Sequence, residues 1–252
     1  MTTSNFLNRK NFAIHLTAGV VAGLAMLLLL SGCATTVESP PEAAKAVQSG
    51  AQLPSAVTAF MGPYASKLAP GPAGGAALVW IYPDAQWINY RKIMLMPVEF
   101  WAGADSKVPA ADQQVLTEYF YSALKTNLEP NFTLVDQPGP GVIKLRVALM
   151  DATTAVPGLR TVSVIVPQAR ILNAAQSLAT DSYAFVGSAE AEMIVTDSQT
   201  GDVLAEAVDR RSGGMGIKGA ASFQWGDAKN AIDYWAERIP ARMLSLQTKG
   251  TP

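Results

Sequence analysis

Two runs in the last third of the chain restrict its fold more than any other feature. From Val186 to Asp197 the residues alternate, with Ala189, Ala191, Met193 and Val195 on one side and Glu190 and Glu192 on the other. After Asp197-Ser198-Gln199-Thr200-Gly201-Asp202, the stretch Val203 to Arg211 is again strand-like. A period of two gives a strand two distinct faces, and a short Asp/Gly-rich connection makes neighbouring strands a hairpin. Upstream, Val142 to Asp151 sets Ile143, Leu145, Val147 and Leu149 against Lys144, Arg146, Ala148 and Met150, which predicts a strand with one apolar and one wet face. Cross-strand pairs of Glu190 and Glu192 with Lys144 and Arg146 are then expected, each contributing about 0.2–1 kcal/mol.

Helical periodicity brackets these strands. Ala110 to Leu128 brings Leu116, Phe120, Ala123, Leu124 and Leu128 to one side, and Asp227 to Leu246 does the same with Ala228, Ala231, Ile232, Trp235, Ile239, Met243 and Leu246. Pro240 interrupts the second pattern and predicts a kink or a break near Ile239. Ala77 to Tyr82 and Lys92 to Trp101 read as strands, the latter buried on both faces and bent or placed at an edge by Pro97. Asn131 to Val135 reads as a short strand, Thr161 to Val166 as a further one, and Pro167 to Thr180 as a short helix. Together these predict an α+β two-layer sandwich, one mainly antiparallel or mixed sheet carrying two long helices, over residues 76–252.

The amino terminus is of another kind. Arg9 and Lys10 precede an uncharged run from Asn11 to Ser31 that ends in Leu30-Ser31-Gly32-Cys33. A basic start, an apolar middle and small residues before the end are the layout of a secretory signal peptide, here residues 1–32. Leu30, Ser31, Gly32 and Cys33 resemble the lipobox of bacterial lipoproteins. That resemblance implies acylation of the Cys33 thiol, palmitate included, and anchoring in the membrane. Ala34, in place of an acidic residue, implies sorting to the outer membrane, with the domain in the periplasm. Residues 33–75, rich in Pro, Gly and Ala, read as a flexible tether. Within them, Val57, Phe60, Met61, Tyr64 and Leu68 are spaced to dock on the body.

Composition narrows the chemistry. The chain has 19 Lys plus Arg against 20 Asp plus Glu, so no basic excess supports a nucleic-acid partner. His15 is the only histidine and Cys33 the only cysteine. Loss of the signal peptide removes the first, and acylation blocks the second. No imidazole or thiol then remains for a nucleophile pair or a metal site, and neither metal nor cofactor is expected.

Tyr90-Arg91-Lys92-Ile93-Met94-Leu95-Met96-Pro97-Val98, Val135 to Gly141, Asp197 to Gly201, Asp209-Arg210-Arg211 and Trp225 to Ala236 carry a family resemblance. In that order they resemble the bacterial lipoproteins grouped as domain of unknown function 3313, over most of Tyr90 to Leu246. The layout is also loosely similar to the periplasmic domain of the curli-secretion lipoprotein. The resemblance implies a lipid-anchored envelope protein and brings no catalytic residue with it.

Four sets of residues are candidates for a site. Gly214-Met215-Gly216-Ile217-Lys218-Gly219 fits G-x-G-x-x-G, but the chain ends one helix later, so it reads as a loop and not a dinucleotide cradle. Arg210 and Arg211, beside Asp209, could grip an anion, or an Arg could pair with Asp209 and Glu206. Asp136, Asp151, Asp197, Asp202 and Asp209 read as turn formers rather than a cation site. Trp87 and Trp101 could line a partner-binding groove or fill the core. The expectation is a non-catalytic envelope lipoprotein that binds a protein or glycan. The alternatives are a homo-oligomeric secretion or transport accessory, and a hydrolase using carboxylates.

Overall fold

The computed structural model describes residues 36–38, 40–101, 106–153, 187–213 and 225–249. The lipobox, the strand expected at Thr161–Val166, the helix expected at Pro167–Thr180 and the Gly214–Gly219 loop lie outside the described residues.

Three long antiparallel strands form the centre: β7 (Val142–Thr153), β8 (Ser188–Asp197) and β9 (Val203–Gly213). β8 and β9 turn at Asp197–Asp202 as the sequence predicts. Asp197 Oδ1 accepts the N–H groups of Gln199 (2.8 Å) and Thr200 (3.0 Å), while Gly201 takes φ 77°. On one flank, β3 (Leu78–Ile81) pairs antiparallel with β9, and β2 (Ala69–Pro70) pairs with β3. β1 (Thr36–Glu38) takes up the edge of β9 where β3 leaves it, with Thr36 opposite Gly213. On the other flank β4 (Lys92–Leu95) and β5 (Glu99–Phe100) run parallel to β7, and β6 (Thr133–Leu134) runs parallel to β4.

The run Lys92–Trp101 is thus one strand cut in two by Pro97, which cannot donate to the ladder. Only its inner residues are buried: Ile93 is, whereas Lys92 is exposed and Leu95 half-buried. The sheet is mixed, with order β2-β3-β9-β8-β7-β4-β6.

Two long helices cover one face. The first, Ala110–Leu128, starts after Pro109 and carries Asp112 in its first turn and Lys125 in its last, each suiting the helix dipole. Its Leu116, Phe120, Leu124 and Leu128 are fully buried, each worth about 1.5–3 kcal/mol. The second, Gly226–Lys249, stacks Trp235 on Phe120 with ring centroids 5.8 Å apart. It does not end at Ile239. The helix runs through Pro240, because Ala236 and Ile232 before the proline and Met243 and Leu246 after it are held on the same core. No helix among the described residues is long and apolar enough to cross a membrane.

The opposite face is not left wet. Within the stretch read as a tether, helices Glu42–Ser49 and Ser55–Met61 and the tight turn Gly62–Lys67 pack on the sheet. The docking expected of Val57, Phe60, Met61 and Leu68 is what the structure shows, and the packed part begins earlier, at Glu42. In chain order the helices are α1 (Glu42–Ser49), α2 (Ser55–Met61), α3 (Ala110–Leu128) and α4 (Gly226–Lys249). The face of β7 expected to be wet is therefore buried at Ala148 and Met150, and half-buried at Lys144 and Arg146.

Candidate functional site

A groove of about 440 Å³ lies between α4 and the β3–β9 side of the sheet. α4 uses two adjoining stripes. Ala228, Ala231, Ile232, Trp235, Met243 and Leu246 face the core, while Tyr234, Arg238, Ala241, Arg242 and Ser245 form one wall of the groove. The floor is low because the sheet presents small side chains there: Ala191 on β8, and Ala205 and Ala207 on β9. Val79 and Ile81 of β3 make the far wall.

One end is closed by the Pro72–Ala76 strap. Three contacts pin it. Tyr234 Oη donates to the Gly74 carbonyl (3.2 Å), Arg211 Nη2 to the Gly75 carbonyl (2.9 Å), and the Ala77 N–H to Asp209 Oδ1 (3.0 Å). Gly71 starts the strap with its N–H on the Ala77 carbonyl (3.0 Å), and a side chain at Gly71 would run into the Ala76 carbonyl.

Asp209 is the hub of this end. Its Oδ2 accepts from Arg211 Nε (2.7 Å) and Trp235 Nε1 (2.8 Å). Burial pushes its carboxyl up, and the Arg211 charge and these three donors pull against that. The Arg211 guanidinium is 5% exposed and lies 4.3 Å from the Tyr234 ring centroid, with Arg238 5.0 Å from the same ring.

Strand alternation separates the residues that the sequence brings together. Arg211 points to the helix face and Arg210 to the other, where it lies opposite Glu190 and donates to Ser188 Oγ (3.2 Å). The two arginines cannot grip one ligand. The pairing of Arg211 with Asp209 is present; Glu206 is on the other face. Trp87, 2% exposed, forms part of the groove's inner wall and meets Tyr90 edge-on at 6.4 Å. Trp101 belongs to the opposite face, against Phe60 at 5.5 Å, and donates to Glu99 Oε2 (2.7 Å). The two tryptophans therefore share no groove. Asp197, held below the usual carboxylate range despite burial by Thr200, Gln199 and Tyr90, is a turn former. Among the described residues no three His, Cys, Asp or Glu stand close enough to hold a metal ion.

The expected pairing of Glu190 and Glu192 with Lys144 and Arg146 does not form. The hairpin register sets Glu192 opposite Ala148 and Val208, and Arg146 opposite Ile194. Arg146 instead donates to Glu99 Oε1 (2.9 Å). Glu192 and Glu206 are 0% exposed, and among the described residues neither carboxyl has a hydrogen-bond partner. Burial pushes Glu192 up to about 8, with Glu190 and Glu206 adding to the effect, and pushes Glu206 to about 7. Glu190 is raised by burial to about 7 against the pull of Arg210.

Sequence reasoning passed over Tyr234, Arg238 and Arg242. Their signal was a polar stripe at three- and four-residue spacing beside the apolar one, with two arginines four apart on one helix face.

The family model described as protein of unknown function (DUF3313) matches residues 57–239. No curated protein matches the chain significantly. Among solved structures, a dodecamer of PelC from Paraburkholderia phytofirmans is similar at 10% identity and TM-score 0.36, over 64% of this chain and 96% of that one. The hypothetical protein CT253 from Chlamydia trachomatis is similar at 9% identity and TM-score 0.39, over 64% and 99%. A homologue of a neuraminyllactose-binding hemagglutinin from Helicobacter pylori is similar at 10% identity and TM-score 0.32, over 67% and 91%. None of these likenesses bears on what this chain binds. The chain belongs to the DUF3313 family, as the run of motifs from Tyr90 to Ala236 implies.

Proposed function

We propose that the chain is a lipoprotein of the bacterial envelope, anchored in the outer membrane through acyl groups on Cys33 and facing the periplasm. Its folded domain is a non-catalytic module that binds another envelope component. The observation that carries the binding reading is the groove beneath α4, an apolar trough at one end of which the Asp209 carboxylate is taken up by Arg211, Trp235 and the Ala77 N–H. A carboxylate that already accepts from three donors acts as a structural support. Concave apolar surface with a few polar groups at its rim is what ligand sites are made of.

Cells fed a clickable palmitate analogue test the anchor. The wild-type protein takes the label, and globomycin or Cys33→Ala abolishes it; label retained in Cys33→Ala refutes lipid anchoring. Cross-linking in cells, with Ala207→Leu filling the groove floor, tests the module. A partner lost in that variant supports the reading, and a partner retained at full yield places binding elsewhere.

A further inference from the structure

Among the described residues the strand backbone under the groove offers a peptide or a glycan no free N–H or C=O, and Trp87 Nε1 is an unpartnered donor on the inner wall. β8 is paired on both sides, with β7 and β9, and β9 is paired with β8 and β3, so their N–H and C=O groups are already in ladders. The Gly74 and Gly75 carbonyls of the strap are engaged by Tyr234 and Arg211. A peptide laid on this floor would bury its own backbone polar groups without partners, and sugar hydroxyls would fare no better. An alkyl chain has no such groups to satisfy.

The rim selects the other half of the ligand. Arg238 and Arg242 stand one helical turn apart on the groove wall of α4, both exposed. Neither makes a hydrogen bond or an ion pair among the described residues, and the Asp209 carboxylate of the groove is already engaged by three other donors. Two guanidiniums with no carboxylate partner among the described residues, Arg238 resting on the Tyr234 ring, are complementary at the mouth of an apolar trough to a phosphate or carboxylate head. The volume of about 440 Å³ falls low in the range of about 300–1,000 Å³ usual for ligand pockets, which suits one chain and not two.

We infer that the groove takes a single-chain anionic amphiphile, its alkyl chain on the Ala205–Ala207 floor and its head between Arg238 and Arg242. The inference rests on the binding-module reading and names its ligand class.

The test uses envelopes from cells that express the full chain. These are exposed to a fatty acid with a mid-chain diazirine and, in parallel, to the same chain on a neutral maltoside head. After irradiation, mass spectrometry reads the adduct sites and, separately, the mass of the peptide that begins at Cys33. Adducts of the fatty acid should fall on peptides holding Ala205–Ala207 and Ile239–Met243, at least fivefold above the maltoside. Arg238→Gln with Arg242→Gln should erase that preference, and Arg238→Lys with Arg242→Lys should keep most of it. Both positions are exposed, so folding is not at stake. Equal yields for the two heads, or a preference that survives the double glutamine variant, would overturn the assignment of the head. Adducts spread over other surfaces, or no adducts on the groove peptides, would overturn the ligand. An unacylated Cys33 peptide would refute the anchor alone, because groove adducts are read independently of it.

Discussion

The two faces of the sheet solve the same problem in opposite ways. On the helix face, Asp209 is buried and kept as a partner of Arg211, with two further donors on its oxygens. On the other face, which the α1–α2 segment covers, Glu192 and Glu206 are buried with no hydrogen-bond partner among the described residues. A buried charge that is paired stays charged, and one that is not takes up a proton. Asp209 therefore fixes a geometry, tying strap, strand and helix into one end of the groove. Glu192 and Glu206 fix none and make the cover over them sensitive to pH. Function is expected where the polar atoms are organised, which is the helix face.

The contrast can be broken most severely at Asp209. Asp209→Ala leaves Arg211, which is 5% exposed, without its counter-ion and strips Trp235 and Ala77 of an acceptor. Breaking a buried pair from one side costs about 3–5 kcal/mol. At about 2–4 °C per kcal/mol for a chain of this size, thermal melting should show a fall in Tm of about 10 °C.

The opposite sign is expected across the sheet. The Glu192 and Glu206 carboxyls have folded pKa values raised to about 8 and about 7, above an unfolded value of 4.5. The folded state thus holds more protons than the unfolded state between those limits. The stability they allow is full below pH 4.5 and is lost as pH rises toward 8. Glu192→Gln should raise Tm by several degrees at pH 8 and hardly at all near pH 4.5, and Glu206→Gln should act likewise. A gain that is equal at both pH values would mean the carboxyls are not protonated in the fold.

Gly71→Ala sharpens the picture at the strap. Its side chain would meet the Ala76 carbonyl, so the strap must shift, and a drop of about 1–2 kcal/mol is expected together with faster exchange of the Ala77 amide. The smallest effect belongs to Arg146→Ala. Its pair with Glu99 is about a third exposed on both sides, and such pairs contribute about 0–1 kcal/mol, so melting should change by no more than a few degrees.

Local signals carried most of the fold. The Asp197–Asp202 turn, the bounds of Ala110–Leu128 and the break at Pro97 follow from neighbours in sequence, and each stands where its residues put it. Of the kink or break expected at Pro240, the break does not occur, since core contacts of Ile232, Met243 and Leu246 outweigh one missing hydrogen bond. The polar face of β8 was misread for a non-local reason. Alternation tells which residues share a face, but what covers it comes from α1 and α2, more than a hundred residues earlier. The groove was hidden likewise, because it is assembled from a glycine-rich strap, an alanine floor and a helix stripe far apart in sequence. Of the candidate residues, Arg211 and Trp87 belong to the walls and supports of the groove, and Arg210 and Trp101 to the other face.

The division of labour between the faces is most directly tested with one photo-cross-linking residue at two positions in living cells. p-Benzoylphenylalanine at Ala241, exposed on the groove wall, should give specific adducts, and at Thr58, exposed on α2, it should give none. Adducts from Thr58 with none from Ala241 would contradict the account and move the binding surface to the face that covers the buried glutamates.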